Sequence, residues 1–219
     1  MVRTYIVNIR QFDDAAVYEE MLEGISPFRL GKIDKLKNEN DKKRSLGAAV
    51  ALDRALGGYG LREGTMEYGL SEKGKPFFRD YPEIHFSVSH SKDYALCSIG
   101  DVEVGSDIEW VRDGKKNVAE RFFAEEELKW VEGAVNDIDK DSRLFQIWTM
   151  KESFLKVTGL GMSLPLTDFA VIIGSDNKKN GEISLRQKVD DKVYHIKEYA
   201  LPKVFNEQTE YKIAVCSTG

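Results

Sequence analysis

Cysteine, histidine and proline are scarce in this chain, at 2, 3 and 5 among 219 residues. Two cysteines cannot build a disulfide framework, and Cys97 and Cys216 have no zinc-ligand spacing. Both lie in strand-like apolar runs, so buried, reduced thiols are expected, as in a cytoplasmic protein. No apolar stretch approaches the roughly 18 residues that would span a bilayer. The first nine residues alternate like a strand and lack the apolar core of a signal peptide, which predicts an unexported protein. An excess of positive charge is also missing. Lys and Arg number 32 against 37 Asp and Glu, a formal net charge of −5. A general nucleic-acid binder should be basic, so none is expected. Any anionic ligand must therefore be met by a local cluster of Lys and Arg.

What is present is an ordinary globular composition, 42% hydrophobic and 32% charged, which excludes a disordered chain. A chain of this length forms one large domain or two small ones and buries on the order of 70% of its unfolded surface. Apolar spacing alternates between periods of 2 and 3.6. A strand at about 3–9 precedes helices near 13–23, 27–37 and 41–57, the last stopped by Gly57-Gly58. Residues 69–82, rich in Gly, Pro and charge, read as a loop. Strands follow near 84–89, 94–99 and 102–109. The order then recurs, with helices near 116–122, 125–133 and 141–158 and strands near 168–173, 183–189, 192–200 and 210–216. The stretch 174–181 reads as a hairpin connection. The recurrence predicts an α+β fold of two similar halves, 1–103 and 104–219, each an antiparallel sheet on a long helix.

Four stretches carry chemistry. In Gly105-Ser106-Asp107-Ile108-Glu109, period 2 puts both carboxylates on one strand face, about 7 Å apart, where they repel unless a cation lies between them. Hard oxygen donors of this kind suit Mg²⁺. In the helix from Leu144 to Lys156, Leu144, Ile147, Trp148, Phe154 and Leu155 define an apolar face, yet Lys151 falls within it and Glu152 at its margin. Buried charge without a partner is costly, so something polar must meet this helix. Phe86-Ser87-Val88-Ser89-His90-Ser91 is a strand whose hydroxyls and imidazole are candidates to bind a phosphate oxygen. Arg29, Lys32 and Lys35 share a helical ridge, followed by Lys42-Lys43-Arg44-Ser45 and Lys73-Gly74-Lys75, a local basic site for a phosphorylated ligand. Asp-x-Glu with a later Glu and Lys also suits other Mg²⁺-dependent phosphoryl transfer or phosphodiester cleavage. A chain that kept only the surface would be an inactive carrier- or nucleotide-binding module.

Together, Gly74-Lys75-Pro76, FSVSHS (86–91), GSDIE (105–109), Arg121-Phe122-Phe123 and WTMKESFLK (148–156), continuing through Gly161-Met162-Ser163-Leu164-Pro165-Leu166 to Phe169, resemble the Sfp-type 4′-phosphopantetheinyl transferases. The match is strong over about 70–170, looser over 1–60 and faint after 175. It implies two pseudo-symmetric halves with the site between them. It also implies transfer of the 4′-phosphopantetheine arm of coenzyme A to a serine of an apo acyl or peptidyl carrier protein, releasing adenosine 3′,5′-bisphosphate. By the same resemblance, Asp107, Glu109 and Glu152 hold Mg²⁺, with Mn²⁺ as a substitute. Ser89 and His90 contact the CoA phosphates, and Lys156 stabilises the pyrophosphate. Arg29, Lys32, Arg44 and Ser45 lie in the region that grips the 3′-phosphate and adenosine, and Lys75 contacts the nucleotide. The carrier serine gives its proton to Glu152, to a metal-held water that Glu152 orients, or to Glu127. Met162 and Leu164 help build an apolar acceptor surface. Both halves in one chain point to a monomer. Ser106, Phe86-Ser87-Val88 and Leu160 depart from the commoner family pattern without removing a metal ligand.

Overall fold

A computed structural model of the chain describes residues 1–113, 116–174, 182–205 and 209–219. The first half opens with β1 (Arg3–Asn8), then α1 (Ala15–Glu23), α2 (Pro27–Ile33) and α3 (Glu39–Gly57). It continues through β2 (Tyr68–Leu70), β3 (Pro76–Phe78), β4 (His85–Ser91) and β5 (Tyr94–Gly100). The second half holds β6 (Val104–Trp110), α4 (Lys116–Phe122), α5 (Glu125–Glu132), α6 (Asp137–Thr158), β7 (Ala170–Ile173), β8 (Ile183–Arg186), β9 (Tyr194–Tyr199) and β10 (Tyr211–Thr218). The expected α+β class is what is found. Among the described residues, two three-stranded antiparallel sheets run in the orders β1-β5-β4 and β6-β10-β9, joined by two short hairpins, β2-β3 and β7-β8. The 69–82 stretch is not all loop. Tyr68 pairs with Phe78 and Leu70 with Pro76, strands of three residues too short to show a period. The connection expected over 174–181 joins β7 to β8, and residues 175–181 lie outside the described residues.

Each larger sheet carries one long helix. The Asn38 side chain caps α3 by accepting from the Asn40 and Asp41 N–H groups, and Glu39 and Asp41 add negative charge at its positive end. Its inner face buries Leu46, Ala49, Leu52 and Leu56 over β1 and β5. Asn136 caps α6 in the same way, and Gly159, at φ 69°, ends it in the left-handed conformation that glycine adopts without strain. Phe154, Ile147, Met150 and Leu155 of α6 fill the second core with Phe169 and Cys216. A third, smaller core of Tyr94, Leu96, Ile108, Tyr211 and Ile213 lies where β5 meets β6 and β10. Both cysteines are buried and unpaired.

One glycine sets how closely the site's parts approach. A Cβ on Gly105 would fall 2.1 Å from the Ser153 carbonyl oxygen and 2.3 Å from the Val157 nitrogen. Only a residue without a side chain lets β6 lie this near α6, and that approach brings Asp107 to Lys156. Gly105→Ala is therefore expected to cost about 3 kcal/mol, an overpacking penalty in a region with no flexible neighbour to yield. Urea unfolding measures it, and a midpoint equal to that of the parent chain would refute the close approach.

Candidate active site

The site forms where β4 of the first half meets β6 and α6 of the second. β4 and β6 run side by side but belong to different sheets, so their contact is made by side chains. Period 2 brings Ser87, Ser89 and Ser91 of β4 to this seam. Ser87 Oγ accepts from the Ser106 N–H at 2.9 Å. Ser89 Oγ donates to Asp107 Oδ1 at 2.6 Å, and Ser91 Oγ donates to Glu109 Oε2 at 2.9 Å. Lys156 Nζ, one turn beyond Glu152 on α6, donates to Asp107 Oδ1 at 2.7 Å and to the Ser106 carbonyl at 3.1 Å.

Asp107 is 5% exposed, and its second oxygen, Oδ2, is buried with no hydrogen-bond donor. A buried carboxylate oxygen left bare is costly, and it is free to accept a donor or a cation. Its neighbours register the same imbalance. Burial and then the Asp107 charge push Glu109 above the ordinary carboxylate range, against the pull of Ser91 and Arg112. Burial, then Asp107 and more weakly Glu109, push Glu152 up as well, with Lys156 opposing. The three carboxylates thus share one electrostatic neighbourhood. Among the described residues, no three His, Cys, Asp or Glu side chains are drawn together around a common point. The carboxylates repel one another, and Lys156 supplies the positive charge at Asp107.

Two openings border the residues around Asp107. A cavity of about 320 Å³ is lined by Lys75, Phe86, Val88, Glu152, Lys156 and Gly159. An open groove of about 420 Å³ is bounded by Arg44, His90, Lys92, Glu109, Trp110 and Arg112. Four of its six named side chains are basic or imidazole, within a chain of net negative charge. His90 keeps an exposed face, but burial of the rest of its ring and then the Arg44 charge hold its pKa below the usual imidazole value. At neutral pH it is an uncharged hydrogen-bonding group.

A sequence model of the 4′-phosphopantetheinyl transferase superfamily matches residues 103–216. The chain belongs to that family. The 4′-phosphopantetheinyl transferase of Bacillus subtilis is 30% identical over 200 residues, covering 91% of this chain and 84% of its own. That of Aneurinibacillus migulanus is 29% identical over 187 residues, covering 82% and 78%. The Xenopus laevis L-aminoadipate-semialdehyde dehydrogenase-phosphopantetheinyl transferase is 35% identical over 107 residues, 43% of this chain and 35% of its own.

In this phosphopantetheinyl transferase, the residues singled out from sequence divide into two sets. Asp107, Glu109, Glu152, Lys156, His90 and Arg44 line or adjoin the two openings. Arg44 ion-pairs with Asp41 and donates to the Lys92 carbonyl at 3.4 Å. Lys32 is exposed, its ammonium 4.4 Å from the Phe28 ring centre, and Ser45 lies half-buried on α3 beside Arg44. Others stand elsewhere. Arg29 and Lys32 stand three apart on α2, but the helix ends at Ile33, before Lys35, and Arg29 is only 4% exposed. Its guanidinium lies over Tyr68 and 3.8 Å from the buried Glu63, with Nε and Nη2 buried and without a hydrogen-bond acceptor. Ser89 is buried and its hydroxyl donates to Asp107. Lys75 lines the cavity, but Nζ donates to the Val104 and Val157 carbonyls, each at 3.2 Å. Burial pushes its pKa down to about 8. Leu164 packs on the second core, and the side chain of Met162 lies outside the described residues.

Glu127 is no candidate base. Its carboxylate is fully buried and accepts from Lys151 Nζ at 2.7 and 2.8 Å, from the Ala124 N–H and from the Val171 N–H. It is the polar partner that Lys151 requires on the apolar face of α6. Sequence reasoning passed over Glu63, Ser91 as a holder of Glu109, and the Lys92-Trp110-Arg112 wall. Period 2 in the serines and the basic residue three beyond Glu109 were the available signals.

Proposed function

We propose that this transferase moves the 4′-phosphopantetheine arm of coenzyme A onto a serine hydroxyl of an apo acyl or peptidyl carrier protein, leaving adenosine 3′,5′-bisphosphate. The serine oxygen forms a bond to the pantetheine-side phosphorus, and the bridging P–O bond of the pyrophosphate breaks. The observation that carries the reading is the bare, buried Asp107 Oδ2 in the electrostatic neighbourhood of Glu109, Glu152 and Lys156, which line two openings edged with positive charge.

Asp107, Glu109 and Glu152 are the residues to hold Mg²⁺, or Mn²⁺ in its place. Their hard oxygens, their mutual repulsion and the orphaned Oδ2 all fit a divalent cation. Such an ion supplies charge neutralisation on the pyrophosphate. Lys156 places a further positive charge beside Asp107, where charge grows on the departing phosphate. Arg44 and the neutral His90 offer donors along the groove, with Lys32 and Ser45 on the same half for the nucleotide end. Lys75 shapes the cavity wall. Glu152 takes the proton from the carrier serine. It lines the cavity one helical turn from Lys156, within reach of a hydroxyl entering there.

The two halves divide between Gly100 and Val104, near residue 103, and each contributes to the site, which supports a monomer. Among the described residues no helix is long and apolar enough to cross a membrane. The acidic net charge speaks against nucleic acid as a partner. With the two buried reduced cysteines, we place the enzyme in the cytoplasm. Incubating the chain with CoA, Mg²⁺ and an apo carrier, then measuring the carrier's intact mass, tests the proposal. A gain equal to phosphopantetheine, lost on chelation, is expected. An unchanged carrier across several diverse acceptors overturns the assignment.

A further inference from the structure

We propose that Ser91 is a positioning residue for Glu109, the end rung of a side-chain ladder by which β4 both joins the two sheets and aims the site's carboxylates. The inference rests on the reading of Asp107, Glu109 and Glu152 as the metal-holding set.

β4 and β6 have no backbone ladder between them, so polar groups on their facing edges must be satisfied by side chains. The alternating serines do this. At the first rung, Ser87 Oγ accepts from the Ser106 N–H and its carbonyl accepts from Ser106 Oγ at 3.2 Å. This rung touches no carboxylate. At the second, Ser89 Oγ donates to Asp107 Oδ1. At the third, Ser91 Oγ accepts from the Trp110 N–H at 3.0 Å and donates to Glu109 Oε2 at 2.9 Å. A hydroxyl has one proton. With its lone pair fixed by a main-chain N–H, that proton points at Glu109. The main-chain bond thus fixes the direction of the carboxylate bond.

The only other hydrogen bond to Glu109 described is from Arg112 Nη1, which is longer, at 3.3 Å, and comes from a half-exposed side chain. Ser91 is 9% exposed and has little rotational freedom. Of the two donors, Ser91 is the one able to hold Glu109 in a single orientation. Groups that orient a metal-holding side chain typically alter metal affinity by roughly 10–100-fold when removed. Sequence alone presented FSVSHS as a set of ligands. The structure assigns its serines to the scaffold beneath the ligand.

The three rungs supply their own control. Ser87→Ala removes an interlobe main-chain acceptor without touching a carboxylate, and Ser91→Ala removes an acceptor and a carboxylate donor together. Mn²⁺ binding to the full chain, read by the loss of free-ion EPR signal, compares them without relying on turnover. Ser91→Ala should weaken Mn²⁺ binding by roughly 10-fold or more, and Ser87→Ala by less than about 2-fold. If Ser91→Ala does not fold, Ser91→Thr against Ser91→Val makes the comparison, two β-branched side chains of one shape differing in the hydroxyl. Equal Mn²⁺ affinity in the two members of either pair overturns the role of Ser91. A parent chain with no Mn²⁺ binding that Asp107→Asn abolishes overturns the metal reading itself. The two failures are therefore told apart.

Discussion

Asp107→Asn is expected to lower kcat/KM for phosphopantetheine transfer by at least about 10³, near 4 kcal/mol of transition-state stabilisation, while leaving the fold intact. The substitution keeps the shape and retains an oxygen able to accept from Ser89 and Lys156. What it removes is the negative charge. That charge anchors Lys156 and, with Glu109 and Glu152, creates the demand for a cation. Stability moves the other way. In the metal-free protein Asp107 is a nearly buried anion with one bare oxygen, and it raises the cost of ionising both Glu109 and Glu152. Neutralising it relieves that repulsion, so the melting temperature in chelator should equal or exceed that of the parent. Loss of activity with retained or increased stability identifies a residue kept for function against its folding cost. Intact-mass time courses with an apo carrier, paired with thermal melts, give both readouts. Near-normal turnover would remove Asp107 from the chemistry.

Much of this arrangement is written locally in the chain, and the parts that are not share a physical cause. Asp107 and Glu109 fall on one strand face because side chains alternate, and that rule needs no tertiary knowledge. Helical spacing likewise places Glu152 and Lys156 one turn apart, and Lys151 on the wrong side of α6 for a solvated lysine. It cannot name the partner. Glu127 lies 24 positions earlier, on another helix, and only packing brings it to Lys151. The serines of β4 pose a related problem. Their alternation shows that they share a face, but whether that face meets a ligand or a second strand depends on how two sheets dock. The ridge of Arg29, Lys32 and Lys35 is cut at Ile33, where α2 stops, and the surroundings of the Arg29 guanidinium, Glu63 and Tyr68, come from over 30 positions along the chain. The β2-β3 hairpin escaped because strands of three residues offer no period to detect.

Glu127→Gln should produce the largest loss of stability, about 3–5 kcal/mol, which for a chain of this size is a fall in melting temperature of roughly 10 °C. Lys151 and Glu127 side chains are both wholly excluded from solvent. Removing the negative charge leaves an ammonium in the core with only neutral acceptors, the Gln amide oxygen and the Phe169 carbonyl at 2.9 Å, and the neighbouring ring to receive it. Two backbone donors, the Ala124 and Val171 N–H groups, lose a charged acceptor at the same time. If the deficit comes from the uncompensated lysine, Glu127→Gln combined with Lys151→Met should recover a large part of it, since a Met side chain occupies similar volume and carries no charge. The same variants settle the proton acceptor. Glu127 has no exposed surface and no free lone pair directed at the cleft, whereas Glu152 lines the cavity. Assayed well below their melting temperatures, the folded Glu127 variants should transfer phosphopantetheine at rates within a few-fold of the parent, and Glu152→Gln should not. A stable Glu127→Gln protein devoid of activity would reverse that assignment and give the proton to Glu127.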